Sequence, residues 1–389
     1  MNFAQAQLAE IRHDRALTRY AALLALVHPL TAFAWLAGGT GLPLPSILAR
    51  GGVAVCWPFL PDCGAARVLD ADALKAIVIG YGALGVLAAA LWLRKSGAAW
   101  WLHVALELFK VALVVQDYRL RLNEHHMALF AALAFLLLPA KRDATRVMLV
   151  LFYVWAGLLK LSPDWLSGLA LPQAPLGVPV NLVPLACKLV VALELVGAWG
   201  LLARRAAIFW SALGALVLFH ISSWSVVGFF YPVLMFVLLA IFPLARPGDS
   251  KSSSVLTRLA GGLLPGSAYA YFALYAALQL WPRLFPGDSA LSGEGRWLAL
   301  HMFDARIDCR ASLGTRELQL PDAMRIRCDP LVVRARALAQ CAQLGDFELV
   351  LQARRSSDAH YRRVIDAKDF CSHTPDYRAL SHNAWIHAE

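Results

Sequence analysis

The sequence predicts an α-helical polytopic membrane protein of about nine spans with a small C-terminal α+β domain outside the bilayer. Three observations carry this. Of 389 residues, 59% are hydrophobic and 16% charged, whereas soluble domains run at about 45–50% and 25%. The apolar residues gather in blocks of about twenty, the length a helix needs to cross hydrocarbon. Near Gly293 the blocks end and strand-like alternation begins. Uninterrupted runs exclude a membrane β-barrel, whose strands alternate. A net charge of +10 would suit nucleic acid in a soluble protein. Here the basic residues stand mainly at alternate helix ends, as topological signals and contacts for anionic headgroups do, so nucleic acid is set aside.

Spans are expected at 18–38, 73–93, 97–116, 126–140, 144–162, 183–203, 206–223, 227–245 and 268–285, giving a membrane domain over 1–288 and an extracytoplasmic domain over 289–389. Arg12, Arg15 and Arg19 precede a long apolar stretch without a small-residue cleavage site, so the first segment reads as a retained span. With the N-terminus in the cytoplasm, Arg12, Arg15, Arg19, Arg94, Lys95, Lys141, Arg142, Arg146, Arg204, Arg205, Arg246, Lys251 and Arg258 fall inside. Only Arg50, Arg67, Arg119 and Arg121 fall in outer loops before residue 283. That bias favours multi-pass insertion in the cell (inner) membrane with the C-terminal domain periplasmic or extracellular.

Cysteine placement agrees. Cys56 and Cys63 share the first outer loop, Cys309, Cys328, Cys341 and Cys371 lie in the terminal domain, and Cys187 alone is within a span. Outer cysteines without CxxC or Cys/His ligand spacing point to disulfides and away from metal, with the pairing open. Lys251 to Ser254, after Pro247-Gly248, reads as a polar inner loop. In the terminal domain RWLALHMFDARIDCRA, TRELQL and FELVLQARRS have strand-like patterning, and PLVVRARALAQCAQLG has helical spacing.

Charged groups at bilayer depth are costly, so each needs a partner or a function. His103, Glu107 and Lys110 share one helical face, and Glu107 and Lys110 are spaced to pair. Lys188 and Glu194 do not face each other, so Glu194 needs a partner from another helix. The outer ends of three further spans carry His125 and His126 (NEHHMALF), Lys160, Asp164 and Trp165 (YVWAGLLKLSPDWLSG), and His220 and Trp224 (LFHISSW). An amine, imidazoles and aromatic faces at one depth suit an apolar substrate with an acidic proton, such as a quinol. Desolvation favours the neutral amine, which makes Lys160 a candidate general base.

The motif AGLLKLSPDWLSG resembles the lysine-bearing segment of vitamin K-dependent gamma-glutamyl carboxylases and their bacterial relatives, the horizontally transferred transmembrane (HTTM) domain proteins. NEHHMALFAALAF is similar to that family's histidine-bearing helix start, LVLFHISSWSVVGFFYPVLMFVLLAIFPL to its downstream helix pair, and GRWLALHMFD through DFELVLQARRSSDAHYRRVIDAKDF to the start of its extramembrane domain. The resemblance implies that Lys160 deprotonates reduced vitamin K or a related quinol, with His126 assisting and His220 as a third catalytic residue. O2 then adds, the strong base so formed removes a γ-proton from glutamate, CO2 adds there, and the quinol leaves as epoxide. It implies positioning or pocket-wall roles for Asp164 and Trp165, and as partners a quinone and a secreted peptide or protein beside membrane lipid; His125 and Trp224 join the substrate-binding candidates through their shared depth with Lys160, and the absence of ligand spacing points to no metal. The chain departs from the pattern at Leu159, which replaces one of the family's paired lysines. It also lacks most of the large lumenal region that holds peptide in the animal enzymes, so quinol oxygenation is better supported than carboxylation. The competing expectation is a non-catalytic membrane module that binds a lipid, quinone or partner protein. Paired, helix-breaking spans of inverted-repeat type, the mark of many transporters, do not occur.

Overall fold

The computed structural model describes residues 3–38, 42–246, 255–300, 306–320 and 326–387. The expected inner loop at 247–254 and residues 301–305 of the expected first strand lie outside these. The helices are α1 (Phe3–His13), α2 (Arg15–Ala25), α3 (Val27–Leu36), α4 (Leu44–Leu48), α5 (Ala71–Leu93), α6 (Ala98–Val114), α7 (Asn123–Leu137), α8 (Lys141–Leu159) and α9 (Pro163–Leu166). They continue as α10 (Val183–Leu195), α11 (Ala206–Val227), α12 (Phe230–Leu239), α13 (Ile241–Leu244), α14 (Val255–Ala260), α15 (Gly266–Leu280), α16 (Ser289–Ser292) and α17 (Pro330–Leu344). Strands β1 (Ile307–Leu313), β2 (Arg316–Glu317), β3 (Leu349–Arg355) and β4 (Arg362–Ala367) belong to the terminal domain.

Among the described residues four helical segments are long and apolar enough to cross a membrane: Arg15–Leu36, Ala71–Leu93, Val180–Leu202 and Ala206–Val227. Nine spans are therefore not supported. The expected spans at 97–116, 126–140, 227–245 and 268–285 correspond to α6 with 17 residues, α7 with 15, α12 with α13, and α15 with 15. A 15-residue helix rises only about 22 Å, short of the roughly 30 Å hydrocarbon core. The fifth, α8, is long enough at 19 residues but opens on Lys141, Arg142, Asp143 and Arg146. Most of α7 and α8 is buried within the protein, whereas α5, α10 and α11 expose Ile79, Val86, Leu189 and Leu218 as a lipid-facing surface would.

The first long segment starts where Asp14 accepts from the Ala16 and Leu17 N–H groups, at 2.8 and 3.3 Å. It breaks at Leu26 because Pro29 cannot donate to the preceding turn. At the opposite end of α8 from Lys160, the basic residues expected as lipid-facing signals are partly consumed inside the protein. Lys141 is fully buried, its Nζ donating to Gln7 Oε1 at 2.6 Å and to the Leu136 and Leu138 carbonyls at 3.1 Å each. Arg142 pairs with Asp14 at 2.5 Å, Arg258 with Asp143 at 2.7 Å, and Arg146 donates to the Leu201 carbonyl at 3.0 Å.

The other end carries all the disulfides: Cys56–Cys63, Cys309–Cys328 and Cys341–Cys371, leaving Cys187 free and buried. There Arg67 and Arg119 converge on Asp117, and Arg121 donates to the carbonyls of Trp297 at 3.1 Å and Ala299 at 2.7 Å. Trp57, Tyr118, Trp297, Leu331 and Val332 form one cluster, so the first loop and the terminal domain share a core. Tyr118 donates its hydroxyl to Asp329 at 2.9 Å, and Asp329 also caps α17 through the Leu331 N–H at 2.9 Å. Burial raises the Asp329 carboxyl above its ordinary value, and these two donors only partly offset that.

The terminal domain is a four-stranded antiparallel sheet in the order β2-β1-β3-β4, with α17 packed on β3. Leu349, Leu351 and Ala353 point into its core at period two, opposite Leu313, Ala311 and Cys309 of β1. Of the expected strand-like stretch RWLALHMFDARIDCRA only the part from Ile307 forms a strand, residues 296–299 being turn and bend, while the expected strand in FELVLQARRS and the expected helix in PLVVRARALAQCAQLG are present. TRELQL yields only the two residues of β2, and β4 joins the sheet with a register shift at Leu351/Gln352.

Candidate functional site

Helix α8 ends at Lys160, beside α10, because Gly157 lets the two backbones approach. A Cβ at Gly157 would lie 2.9 Å from Leu195 Cδ2 and 3.1 Å from Glu194 Cβ. That approach sets Glu194 against Lys160, whose Nζ lies 2.6 and 2.7 Å from the two carboxylate oxygens. Lys160 is 1% and Glu194 0% exposed. The partner that Glu194 requires from another helix is thus Lys160, while Lys188 takes no part. The ammonium also lies over the rings of Trp165 at 5.2 Å and Phe219 at 5.9 Å, so aromatic π-faces complete its surroundings.

Lys160 lines a cavity of about 70 Å³ whose other walls include Trp165, Cys187, Phe219, Ser223 and Tyr231. Apart from the ammonium and a few hydroxyls and the thiol, that wall is apolar. The volume is less than half of the ~150 Å³ that accommodates benzene in an engineered protein cavity. A bicyclic ring would be enclosed whole only if a wall moved.

Behind the cavity, His220 bonds through Nε2 to the Tyr153 hydroxyl at 2.8 Å and packs against Tyr231 and Phe219. Its ring lies next to the cavity wall rather than in it, and its Nδ1 has no hydrogen-bond partner. Trp165 is fixed from two sides. Its indole N–H donates to the Cys187 carbonyl at 3.2 Å, and its backbone belongs to α9, which Ser162 caps.

Asp164, next to Trp165, turns away from the cavity. Its Oδ1 accepts the Ser357 N–H at 2.7 Å, and its Oδ2 lies 3.7 Å from Arg355 Nη1. Arg355 also forks onto both oxygens of Asp288 through Nε and Nη2. Burial works against the Asp288 charge, yet the guanidinium and the Ala290 N–H hold its carboxyl below the ordinary range.

The remaining expected site residues lie apart from Lys160. Trp224 is 42% exposed and does not line the cavity. His126 sits at the same end of the bundle, buried with Nδ1 unpartnered, but no hydrogen bond, ion pair or ring contact joins it to Lys160. His125 accepts from the Trp35 indole at 2.9 Å and packs on Phe230.

That histidine borders a second buried polar group absent from the expected site. Glu107 pairs with Lys110 at 2.5 Å and faces His28 Nε2 at 3.7 Å, while His28 Nδ1 meets the Tyr81 hydroxyl at 2.7 Å. His28, His103 and Glu107 bring ligand-capable atoms within 4.8 Å of one another. The Lys110 ammonium already balances the carboxylate, and Trp92 donates to His103 Nδ1 at 3.2 Å, which places the proton of a neutral imidazole on Nε2. The arrangement is a polar network filled by its own ammonium. The i, i+3 spacing reveals Glu107–Lys110, whereas nothing local to His28 signals its place.

Compared with protein-family models, curated proteins and solved structures, the chain matches none of them.

Proposed function

We propose that this is a membrane enzyme that takes a lipid-soluble aromatic diol of the reduced-quinone class into the Lys160 cavity and begins its oxygenation by removing a hydroxyl proton. The observation that carries this reading is the Lys160–Glu194 pair at the wall of an otherwise apolar, aromatic cavity. A dry ion pair can pass its shared proton from amine to carboxylate without changing net charge, which leaves a neutral amine facing the ligand. Lys160 is then the base, Glu194 its proton acceptor, and Trp165 and Phe219 the ring platform. The products follow from the resemblance to the carboxylase and HTTM family: quinol and O2 become quinone epoxide and water. Where a glutamate side chain of a secreted peptide is presented, the strong base formed by O2 addition to the deprotonated quinol, and not the amine, removes its γ-proton, and CO2 adds there. A cytoplasmic N-terminus and an extracytoplasmic terminal domain, supported by the basic-residue bias and the disulfides, put the site at the outer leaflet. Any span beyond the four long ones would have to come from the shorter helices of the bundle.

The test is purified protein in lipid with a reduced naphthoquinone and O2, followed by mass analysis of the quinone. Epoxide is expected from the wild type, and a loss of at least about a hundredfold in Lys160→Ala, the usual size of a general-base contribution. No product with several quinols, or full activity in Lys160→Ala, would end the enzymatic reading. One observation favours the second reading, a binding module without turnover: His126 makes no contact with Lys160. In that case quinol binds without conversion and Lys160→Ala weakens binding alone.

A further inference from the structure

The short helix that bears Trp165 is held by the terminal domain. Asp164 is fully buried yet points away from the cavity, and its Oδ2 makes no hydrogen bond, so only the Arg355 charge at 3.7 Å compensates it. Its Oδ1 is taken by the Ser357 backbone N–H at 2.7 Å. Arg355 closes β3, an inner strand, and Ser357 lies in the turn towards β4, so both groups belong to one end of the sheet. Through Asp288 the same guanidinium ties that edge to the segment leaving α15. One residue beyond Asp164, the Trp165 indole forms a cavity wall 5.2 Å from Lys160 Nζ. A ring system seats fully in this cavity only if a wall yields, and Trp165 is the lining residue whose short helix is tethered to the terminal domain.

We propose that Arg355 and the Ser357 amide are positioning groups for the Lys160 cavity: by holding Asp164 they keep Trp165 closed over it, and the terminal domain thereby governs entry. The tether of Asp164 to the terminal domain is read from contacts alone. Its consequence for a quinol rests on the function proposed above.

Cys187 supplies the probe, since it lines the cavity and the other six cysteines are in disulfides. The full-length protein in phospholipid nanodiscs is treated with N-ethylmaleimide, and adduct growth is followed by intact mass. Wild type is expected to react slowly. Arg355→Ala and Ser357→Pro, which remove the guanidinium and the amide donor, are expected to react about tenfold faster, equivalent to ~1.4 kcal/mol of closure. Arg355→Lys, which keeps charge but not the fork onto Asp288, should fall between. Ser357→Ala should match wild type because the bond comes from the backbone. Arg363→Ala, which removes an ion pair with Asp366 on the same domain, controls for general loosening and should also match wild type. Wild-type rates in both Arg355→Ala and Ser357→Pro would overturn the proposal, as would equal acceleration in Arg363→Ala. If no quinol is turned over but the alkylation pattern holds, the function fails and the closure stands. If turnover is seen and the alkylation pattern is flat, the closure fails alone.

Discussion

At the scale of single residues, Lys160 and Glu194 illustrate what a buried ion pair costs and contributes. Two charges removed from water are tolerable together and not apart, so deleting either one should cost about 3–5 kcal/mol, while replacing both with apolar or amide groups is close to neutral. Lys160→Met and Glu194→Gln are each expected to lower the melting temperature in detergent clearly, and the double variant to recover most of the loss. Additive losses would show that the two side chains do not interact. The pair was half legible in the sequence. Glu194 announces a need for a cation, but the cation is 34 residues away, and only helix packing selects it. Glu107 and Lys110, three residues apart on one helix, are fully legible because the backbone itself brings them together. His125 and His126 share a depth with Lys160 by their position at a helix start, but depth does not determine direction. His125 reaches Trp35 instead.

Among the elements, the contact of α8 with α10 is set by Gly157. A methyl group there meets Leu195 at 2.9 Å, tighter than side-chain contacts normally allow. Gly157→Ala is therefore expected to destabilise the protein by about 1–3 kcal/mol through overpacking and to weaken the Lys160–Glu194 bond. Cys187 alkylation and thermal unfolding would both report it, and unchanged values in each would refute the close-approach argument. Hydropathy overcounts the spans for a related reason. It measures how apolar a segment is and not what covers it, and α7 is apolar because its neighbours enclose Met127, Ala128, Ala131 and Phe135. In the terminal domain β3 is legible because Leu349, Leu351 and Ala353 alternate with polar residues. The β4 sequence RRVIDA opens on exposed arginines and becomes a strand through pairing with β3. The Cys341–Cys371 bridge spans 30 residues, so replacing both cysteines with serine should cost the domain about 2–4 kcal/mol. Differential scanning calorimetry with and without reductant measures it.

For the whole molecule, the junction between helices and terminal domain titrates in two opposite senses. Asp329 has its carboxyl raised by burial. Its contribution is full below the unfolded value of about 3.9 and is lost as pH rises through the raised value. Asp288 is depressed, so its contribution is full above about 3.9 and is lost only as pH falls further, through the lowered value. Mild acidification from neutral should therefore relieve the cost of burying the Asp329 charge while leaving Arg355–Asp288 intact. Asp329→Asn retains an oxygen for the Leu331 N–H and is expected to flatten the gain in melting temperature as pH falls from neutral towards about 4. An unchanged slope in that variant would assign the pH response elsewhere.

The three disulfides lie at the same end of the molecule as Lys160, and two of them lie in the domain whose β3–β4 turn holds Asp164. Cys309 sits on β1, paired with the strand that ends in Arg355, and Cys341 on α17, which packs against that strand. If the terminal domain holds Trp165 as proposed above, reducing those two bridges is expected to loosen the hold and quicken Cys187 alkylation, so that thiol oxidation outside the bundle would set access to a thiol inside it.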